Sequence, residues 1–257
     1  MDTKAIERSI REKLCEIEQK EDVRVLYCAE SGSRAWGFAS PDSDFDARFI
    51  YVRKPEYYLR LGKTRDVIEW QLDDVYDVNG WDLQKALRLL YGSNPTLFEW
   101  NASPIVYRTS GDWEKVSALM PRYFDASGAV KHYLGMAKNN HHAYLRGELV
   151  KLKKYFYVLR PILAARWILD RGTPPPVPFE ELKAAELDSA IIPTVDELVK
   201  RKTSVTEMGK AEHIPQLDEY ISSSLEELST RAAQMERTVP KDRQPLDDIF
   251  LELLGMR

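Results

Sequence analysis

The first hundred residues alternate between two hydrophobic periods, one typical of helices and one typical of strands. Within residues 3–20, apolar side chains fall on one stripe at helical spacing, which predicts an amphipathic helix. Short runs rich in β-branched and aromatic residues predict strands over residues 23–30, 45–52, 66–72 and 75–80. A helix over residues 81–90, capped by Asp82, and another helix after Asn94-Pro95 complete this part.

Beyond about residue 113 only helical periods appear. They predict helices over residues 127–147, 150–170, 179–185, 194–201 and 214–236, and one short helix that closes the chain. We therefore predict the α+β class, with a mixed sheet flanked by helices over residues 1–112 and an all-helical domain over residues 113–257. A cleft between two such lobes is a common place for a ligand site.

Composition places the chain among ordinary globular proteins. Its 257 residues are 44% hydrophobic and 30% charged, and they suffice to bury a core. No apolar run approaches the roughly 20 residues needed to span a bilayer, and the charged N-terminus has no signal-peptide core. Two cysteines, Cys15 and Cys28, are too few for a disulfide framework. We therefore expect a cytoplasmic protein without a membrane partner.

Positive charge is concentrated in one segment, although the net charge is −4. Residues 131–166 contain eight Lys or Arg and one acid. Arg146, Lys153 and Arg160 are spaced by seven, which predicts a basic stripe on one helix face. Such a stripe would hold a triphosphate tail or a nucleic-acid backbone, and the alternative is a solvated helix face. Pro161 would kink or interrupt the helix just after Arg160.

Two aspartates open the second predicted strand. Because strand side chains alternate, Asp44 and Asp46 share one face, with their Cα atoms about 6–7 Å apart. Paired carboxylates repel each other, and burying either one without a counter-charge is costly. Mg²⁺ or Mn²⁺ would remove both penalties, and two such ions about 4 Å apart hold the attacking and leaving oxygens of a phosphoryl transfer.

A glycine turn precedes these aspartates by about ten residues. A turn at a helix start presents N–H groups and the positive dipole end to an anion, so Gly32 and Ser33 are candidates for phosphate binding. The surrounding sequence SGSRAWG matches neither the P-loop pattern nor the dinucleotide-binding glycine pattern. A phosphate cradle beside metal-binding carboxylates predicts a site for a nucleoside triphosphate.

The order strand, Gly-Ser turn, helix, loop, acid-x-acid, strand resembles the DNA polymerase β-type nucleotidyltransferase superfamily. The stretches GSRAWGFASPDSDFDARFIYV and DVNGWDLQKALRLLYGSNPTLFEW are similar to its RNA-repair-associated branch, the RlaP-type predicted nucleotidyltransferases. The resemblance covers most of residues 25–105 and, more weakly, residues 153–168. It implies phosphate binding by Gly32 and Ser33, and metal binding by Asp44 and Asp46. Four further positions match the branch, namely Arg34, Lys85, Asn94 and Glu99.

The superfamily also uses a third carboxylate on a neighbouring strand. The candidates in this chain are Glu69, Asp74 and Asp77. We favour Asp77 because its surroundings are strand-like and lead directly into the next helix, and Glu69 is the main alternative. By this resemblance, Asp77 would share one metal ion and help to deprotonate the acceptor hydroxyl.

The resemblance implies an Mg²⁺-dependent nucleotidyltransferase that moves NMP from an NTP, ATP being favoured, to an acceptor hydroxyl and releases pyrophosphate. Gly32, Ser33 and Arg34 would hold the phosphates, helped by Lys153 and Arg160 of the basic segment. The favoured acceptor is an RNA end, while a protein hydroxyl (AMPylation, as in toxin–antitoxin pairs) or a small molecule such as an antibiotic stays open. A nucleotide- or RNA-binding module that lost turnover is the other alternative.

Overall fold

A mixed five-stranded sheet organises the first half of the chain. The computed structural model describes residues 3–73, 75–204, 209–236 and 242–256. The strands of this sheet are β1 (Val23–Glu30), β2 (Phe45–Arg53), β3 (Val67–Leu72), β4 (Tyr76–Asp82) and β5 (Val106–Arg108). Their spatial order is β3-β4-β2-β1-β5. Strands β2 and β4 run parallel, and the other neighbouring pairs run antiparallel.

Helices make up most of the remaining described residues. They are α1 (Thr3–Glu21), α2 (Gly32–Ala35), α3 (Pro55–Tyr58), α4 (Leu83–Tyr91), α5 (Pro95–Asn101), α6 (Gly111–Leu119), α7 (Ala126–Tyr144), α8 (Lys153–Arg171), α9 (Phe179–Glu186), α10 (Ile192–Ser204), α11 (Pro215–Ala233) and α12 (Gln244–Leu253). A 3₁₀ turn, Met120–Tyr123, follows α6, and a short antiparallel pair joins β6 (Val150–Lys151) to β7 (Lys210–Ala211). Among the described helices, none has the length and apolarity that a bilayer crossing requires.

The predicted α+β class is confirmed, and most predicted elements lie close to their observed bounds. The strand predicted over residues 23–30 coincides with β1. Strand β5 and helix α6 were not predicted, because three residues are too few for an alternating pattern to show and α6 buries only Trp113 and Val116. The pair β6–β7 lies in the part where no strand was expected.

Helix α1 packs on the sheet through its apolar stripe. Ile10, Leu14 and Ile17 are fully buried, and they share a core with Cys28 of β1 and Phe49 of β2. Each fully buried aliphatic side chain contributes about 1.5–3 kcal/mol of transfer free energy. This core fixes the two strands that flank the Gly-Ser turn.

Asp82 ends β4 and caps α4, as the sequence predicted. Its Oδ1 accepts a hydrogen bond from the Gln84 N–H at 2.8 Å, and its Oδ2 accepts one from the Tyr58 hydroxyl at 2.8 Å. Both oxygens of this buried carboxyl are therefore satisfied. Asn94 caps α5 in the same way, through the Thr96 N–H at 3.0 Å.

The chain folds into two compact units. The first, here called the sheet unit, contains Met1–Ala35, Asp44–Tyr123 and Pro240–Arg257. The second, here called the helical unit, contains Trp36–Ser43 and Phe124–Val239. Both units are discontinuous in sequence, whereas the predicted division after residue 112 treats each domain as contiguous.

Helix α8 forms the centre of the helical unit and passes through Pro161 without a break. Proline has no N–H to donate to the carbonyl of Tyr157, four residues earlier. The Asn140 side-chain amide of α7 donates to that carbonyl instead, at 2.8 Å. The helix therefore continues to Arg171, so of the kink or interruption predicted just after Arg160, the interruption does not occur.

Candidate active site

The Gly-Ser turn contacts the second of the two predicted aspartates. Gly32 has φ +58°, and a Cβ atom built on it would overlap Asp46 Oδ2 and lie 2.9 Å from Asp46 Cγ. The Ser31 N–H donates to the Asp46 carbonyl at 2.9 Å, so the turn is also bonded to the main chain of β2. Only glycine fits this backbone angle and this gap together.

The favoured third acid lies beside Asp46 in the sheet. Asp46 and Asp77 are register partners in the parallel pair β2–β4, and their carboxyl groups are within hydrogen-bonding reach of each other. Asp44 lies one residue before β2, is half-buried, and its charge helps to raise the pKa of Asp46. The fold therefore brings Asp46 and Asp77 together where β2 and β4 begin, with Asp44 close enough for its charge to act on Asp46.

The two alternatives for the third acid are placed less favourably. Glu69 lies on β3 opposite Asn79 and is exposed, so a whole strand separates it from β2. Asp74 lies outside the described residues. The geometry therefore favours Asp77, and its role as a metal ligand stays a prediction.

A guanidinium that the sequence did not single out bridges two of these carboxylates. Arg48 Nη2 donates to Asp46 Oδ1 at 2.8 Å and to Asp77 Oδ2 at 2.6 Å. Arg48 Nη1 donates to the main-chain carbonyl of Asp77 at 2.7 Å. Strand alternation already put Arg48 on the face of Asp46, which was the available signal. Arg48 thus supplies a counter-charge that the sequence argument had assigned to metal ions.

A buried glutamate at the end of β1 holds the main chain of Asp46. Glu30 is 1% exposed, and its Oε1 accepts a hydrogen bond from the Asp46 N–H at 2.8 Å. Its Oε2 accepts one from the Tyr107 hydroxyl, and the Ser103 hydroxyl donates to the Glu30 main-chain carbonyl. Sequence reasoning missed Glu30 because Tyr107, which covers it, lies on the strand that was not predicted.

Burial raises the pKa of two of these carboxyl groups. Desolvation raises the pKa of Glu30 to about 7, although hydrogen bonds from Tyr107 and Asp46 act against it. Desolvation likewise raises the pKa of Asp46 to about 6, with the charge of Arg48 opposing the rise and the charges of Asp44 and Asp77 adding to it. Carboxyl groups with such perturbed pKa values are typical of functional sites.

The donor chemistry of the three aspartates fits a hard divalent cation. Mg²⁺ and Mn²⁺ prefer carboxylate oxygens, water and phosphate to nitrogen or sulfur. Within the described ranges, no three His, Cys, Asp or Glu side chains are already grouped as a metal site. Arg48 is bound to Asp46 Oδ1 and Asp77 Oδ2, so a protein cation occupies the carboxylates in this conformation.

Arg34 contacts the main chain and the first side chain at the start of β2. Its Nε donates to the Asp44 carbonyl at 3.0 Å, and its guanidinium carbon lies 3.6 Å from the centre of the Phe45 ring. Ser33 precedes it on α2 and is half-buried. The assignment of both residues to phosphate binding stays a prediction.

The basic segment with Arg146, Lys153 and Arg160 belongs to the helical unit, where these three residues do not form one stripe. Helix α7 ends at Tyr144 and α8 begins at Lys153, so Arg146 lies between the two helices. The predicted continuous stripe is therefore wrong. Arg160 is 3% exposed and lies 4.6 Å from the centre of the Trp36 ring, within the unit itself. This burial leaves Lys153, which is half-buried, as the more accessible of the two predicted ligands.

The other positions that match the family branch have local partners. Lys85 Nζ pairs with Asp66 Oδ1 at 3.2 Å on the surface of the sheet unit. Asn94 serves as the cap of α5 already described, and Glu99 lies on the same helix. The cap of α5 is a sufficient structural reason for an asparagine at position 94.

Tyr107→Phe is expected to destabilise the sheet unit by about 1–2 kcal/mol, because it removes a hydrogen-bond donor from buried Glu30. Glu30 has a raised pKa in the fold, so its ionisation lowers stability as the pH rises from about 4.5 to about 7. Without the Tyr107 hydroxyl, ionised Glu30 destabilises the fold more. The stability lost in Tyr107→Phe should therefore be larger at pH 8 than at pH 5. Urea unfolding at both pH values measures this difference.

Tyr123→Phe is the matched control, because the Tyr123 hydroxyl donates to the Asp242 main-chain carbonyl, which does not ionise. Its stability loss should be the same at both pH values. A Tyr107→Phe loss that is equally independent of pH would contradict the role given to the charge of Glu30.

Comparisons with known proteins extend over both units. A family model described as "RNA repair pathway DNA polymerase beta family" (RlaP) matches residues 6–252. The uncharacterized protein YcgL of Bacillus subtilis (strain 168) is 41% identical over 232 residues, which cover 90% of this chain and 89% of that protein. The crystal structure of a nucleotidyltransferase-like protein from Exiguobacterium sibiricum 255-15 aligns with 98% of this chain and 80% of that chain, at 13% identity and a TM-score of 0.33.

Proposed function

The chain belongs to the RNA repair pathway DNA polymerase beta family, and from that premise we propose that it moves a nucleoside monophosphate from an NTP to an acceptor hydroxyl. One observation carries the proposal: Gly32 lies against Asp46, and Asp77 is the register partner of Asp46. The turn that we propose to bind phosphate is thereby adjacent to the carboxylates that we propose to bind metal. The family description favours an RNA end as the acceptor, and we retain ATP as the expected donor.

The carboxylates would hold the metal of this reaction. Asp44 and Asp46 would contact both ions of a two-metal site, and Asp77 would contact one. Mg²⁺ or Mn²⁺ bound there supplies positive charge for the triphosphate and for the departing pyrophosphate. Asp46 and Asp77 are suited to this because they lie on adjacent strands and the sheet fixes their spacing, and Asp44 lies one residue before β2.

The chain's own residues would position the reacting groups. A bond forms between the acceptor oxygen and the α-phosphorus, and the bond from that phosphorus to the oxygen shared with the β-phosphate breaks. Asp77 would take the proton of the acceptor hydroxyl as a general base. Gly32 and Ser33 would receive the phosphates, while Glu30 fixes the Asp46 main chain from the buried side.

A binding module without turnover is the second candidate, and one specific observation favours it. Arg48 bridges Asp46 and Asp77, and a protein cation in that place is also what a site without metal would need. The two candidate functions predict different outcomes when the chain is incubated with labelled NTP.

The test uses the full chain, Mg²⁺ and each of the four NTPs labelled at the α-phosphate. Total RNA, total protein and a small-molecule extract are incubated separately, with an Asp44→Ala chain in parallel. We expect label in the RNA pool with the unaltered chain and none with Asp44→Ala. Label in protein or in small molecules would reassign the acceptor. Binding of Mg-NTP without label in any pool would favour the binding module.

A further inference from the structure

Arg48 lies where the proposed function needs divalent charge, and we propose that it is a resident counter-ion that a metal ion must displace. The inference rests on the proposed function, because it takes Asp46 and Asp77 as metal ligands. Arg48 itself is neither a phosphate ligand nor a metal ligand of that function. The consequence is that the metal binds together with the nucleotide rather than before it.

The contacts of Arg48 use oxygens that a metal would need. One nitrogen, Nη2, bonds Asp46 Oδ1 and Asp77 Oδ2 at once, at 2.8 and 2.6 Å. Ion-paired hydrogen bonds of this length are among the strongest in proteins. The guanidinium already uses a lone pair of each oxygen and repels other cations, so a divalent ion must compete with it for both oxygens.

The side chain is held in this place by main-chain contacts as well. Arg48 Nη1 bonds the Asp77 carbonyl at 2.7 Å, and the Ala47 carbonyl lies 3.5 Å away. The side chains of Arg48, Asp46 and Asp77 are 17%, 18% and 26% exposed. Water therefore screens these charges only weakly, and the guanidinium repels any second cation nearby.

The charge balance changes when a nucleotide arrives. Without ligand, Arg48 offsets part of the repulsion among Asp44, Asp46 and Asp77, which otherwise destabilises the fold. A triphosphate brings further negative charge to the turn at Gly32, and divalent ions can then displace the guanidinium from Asp46 and Asp77. We therefore expect weak binding of free metal and much tighter binding when NTP is present.

The experiment titrates Mn²⁺ into the full chain at pH 8, followed by electron paramagnetic resonance, without and with a non-hydrolysable ATP analogue. Arg48→Met removes the guanidinium and should bind free Mn²⁺ about tenfold more tightly than the unaltered chain, since the repulsion between a guanidinium and a divalent ion about 4 Å apart is worth at least that factor. Arg48→Lys keeps the charge and should stay close to the unaltered chain. Arg24→Met is the matched control, because Arg24 also pairs with an aspartate of the sheet unit.

A second readout is the unfolding temperature in EDTA and in Mn²⁺. Arg48→Met should unfold at a lower temperature than the unaltered chain in EDTA, because the three acids then repel each other. Mn²⁺ should raise the unfolding temperature of Arg48→Met by more than it raises that of the unaltered chain. If Arg48→Met does not fold in EDTA, Arg48→Gln, which keeps amide donors without the charge, serves for the titration.

Mn²⁺ affinity that is unchanged or weaker in the folded, uncharged variants would overturn the inference and make Arg48 a positioning residue. The proposed function would survive that result, because the unaltered chain would still bind Mn²⁺ in the presence of the ATP analogue. Failure of the unaltered chain to bind Mn²⁺ in either condition would instead contradict the proposed function itself. The two failures are therefore distinguishable.

Discussion

Asp46→Asn will reduce nucleotidyl transfer by about 10³-fold or more, while the chain stays folded. The substitution removes a carboxylate that would contact both metal ions, and losing several kcal/mol of charge stabilisation corresponds to a factor of this size. The fold should tolerate it, because the amide is close in shape to the carboxyl and carries no charge to desolvate. Burial already raises the pKa of Asp46 to about 6, so ionised Asp46 is a cost to the folded state.

The measurement pairs transfer of labelled NMP with the unfolding temperature in EDTA. Asp66→Asn is the matched control, since Asp66 is an aspartate of the same unit that pairs with Lys85, away from the three acids of the site. It should keep full activity. If Asp46→Asn retained more than a tenth of the activity, Asp46 would not be a ligand of the reaction's metal.

Gly32→Ala is expected to damage both activity and stability, for a reason that is visible in the backbone. The left-handed φ of +58° costs an L-residue about 1–2 kcal/mol. In addition, the new methyl group would overlap Asp46 Oδ2, so either the turn or the carboxylate must move. We expect at least a hundredfold loss of transfer, because displacements of about 1 Å at a reacting group have effects of that size.

Gly172→Ala separates the two causes. Gly172 ends α8 with φ +69°, and no atom would lie within 4 Å of its new Cβ. This variant shares the backbone strain without the contact to Asp46, so it should lose stability and keep activity. Equal activity losses in the two variants would show that general destabilisation, and not contact with Asp46, explains Gly32→Ala.

Local patterns were sufficient to predict the elements that carry the candidate site. The spacing between Gly32 and Asp46 and the strand character of β1 and β2 are properties of short stretches. Strand alternation likewise placed Arg48 on the same face as Asp46. The pairing of Arg48 with Asp77 was not predictable, because the register between β2 and β4 is set by packing of the whole sheet.

Features that depend on distant segments were missed for the same reason. The burial of Glu30 depends on Tyr107, which lies 77 positions away on a three-residue strand. The heptad spacing of Arg146 and Lys153 assumes one uninterrupted helix, and the chain between α7 and α8 leaves helical geometry. Spacing arguments hold only within one element, and the helices predicted over residues 127–147 and 150–170 already put Arg146 and Lys153 in different elements.

The interleaving of the two units also has a consequence for biosynthesis. Helix α12 contributes buried Leu246, Ile249 and Leu253, and it is grouped with strands made about two hundred residues earlier. Every segment of the helical unit leaves the ribosome before that helix does, so the sheet unit stays incomplete until α12 has been translated. Since the chain passes between units on either side of residues 36–43 and again after Tyr123, no single proteolytic cut can release either unit whole.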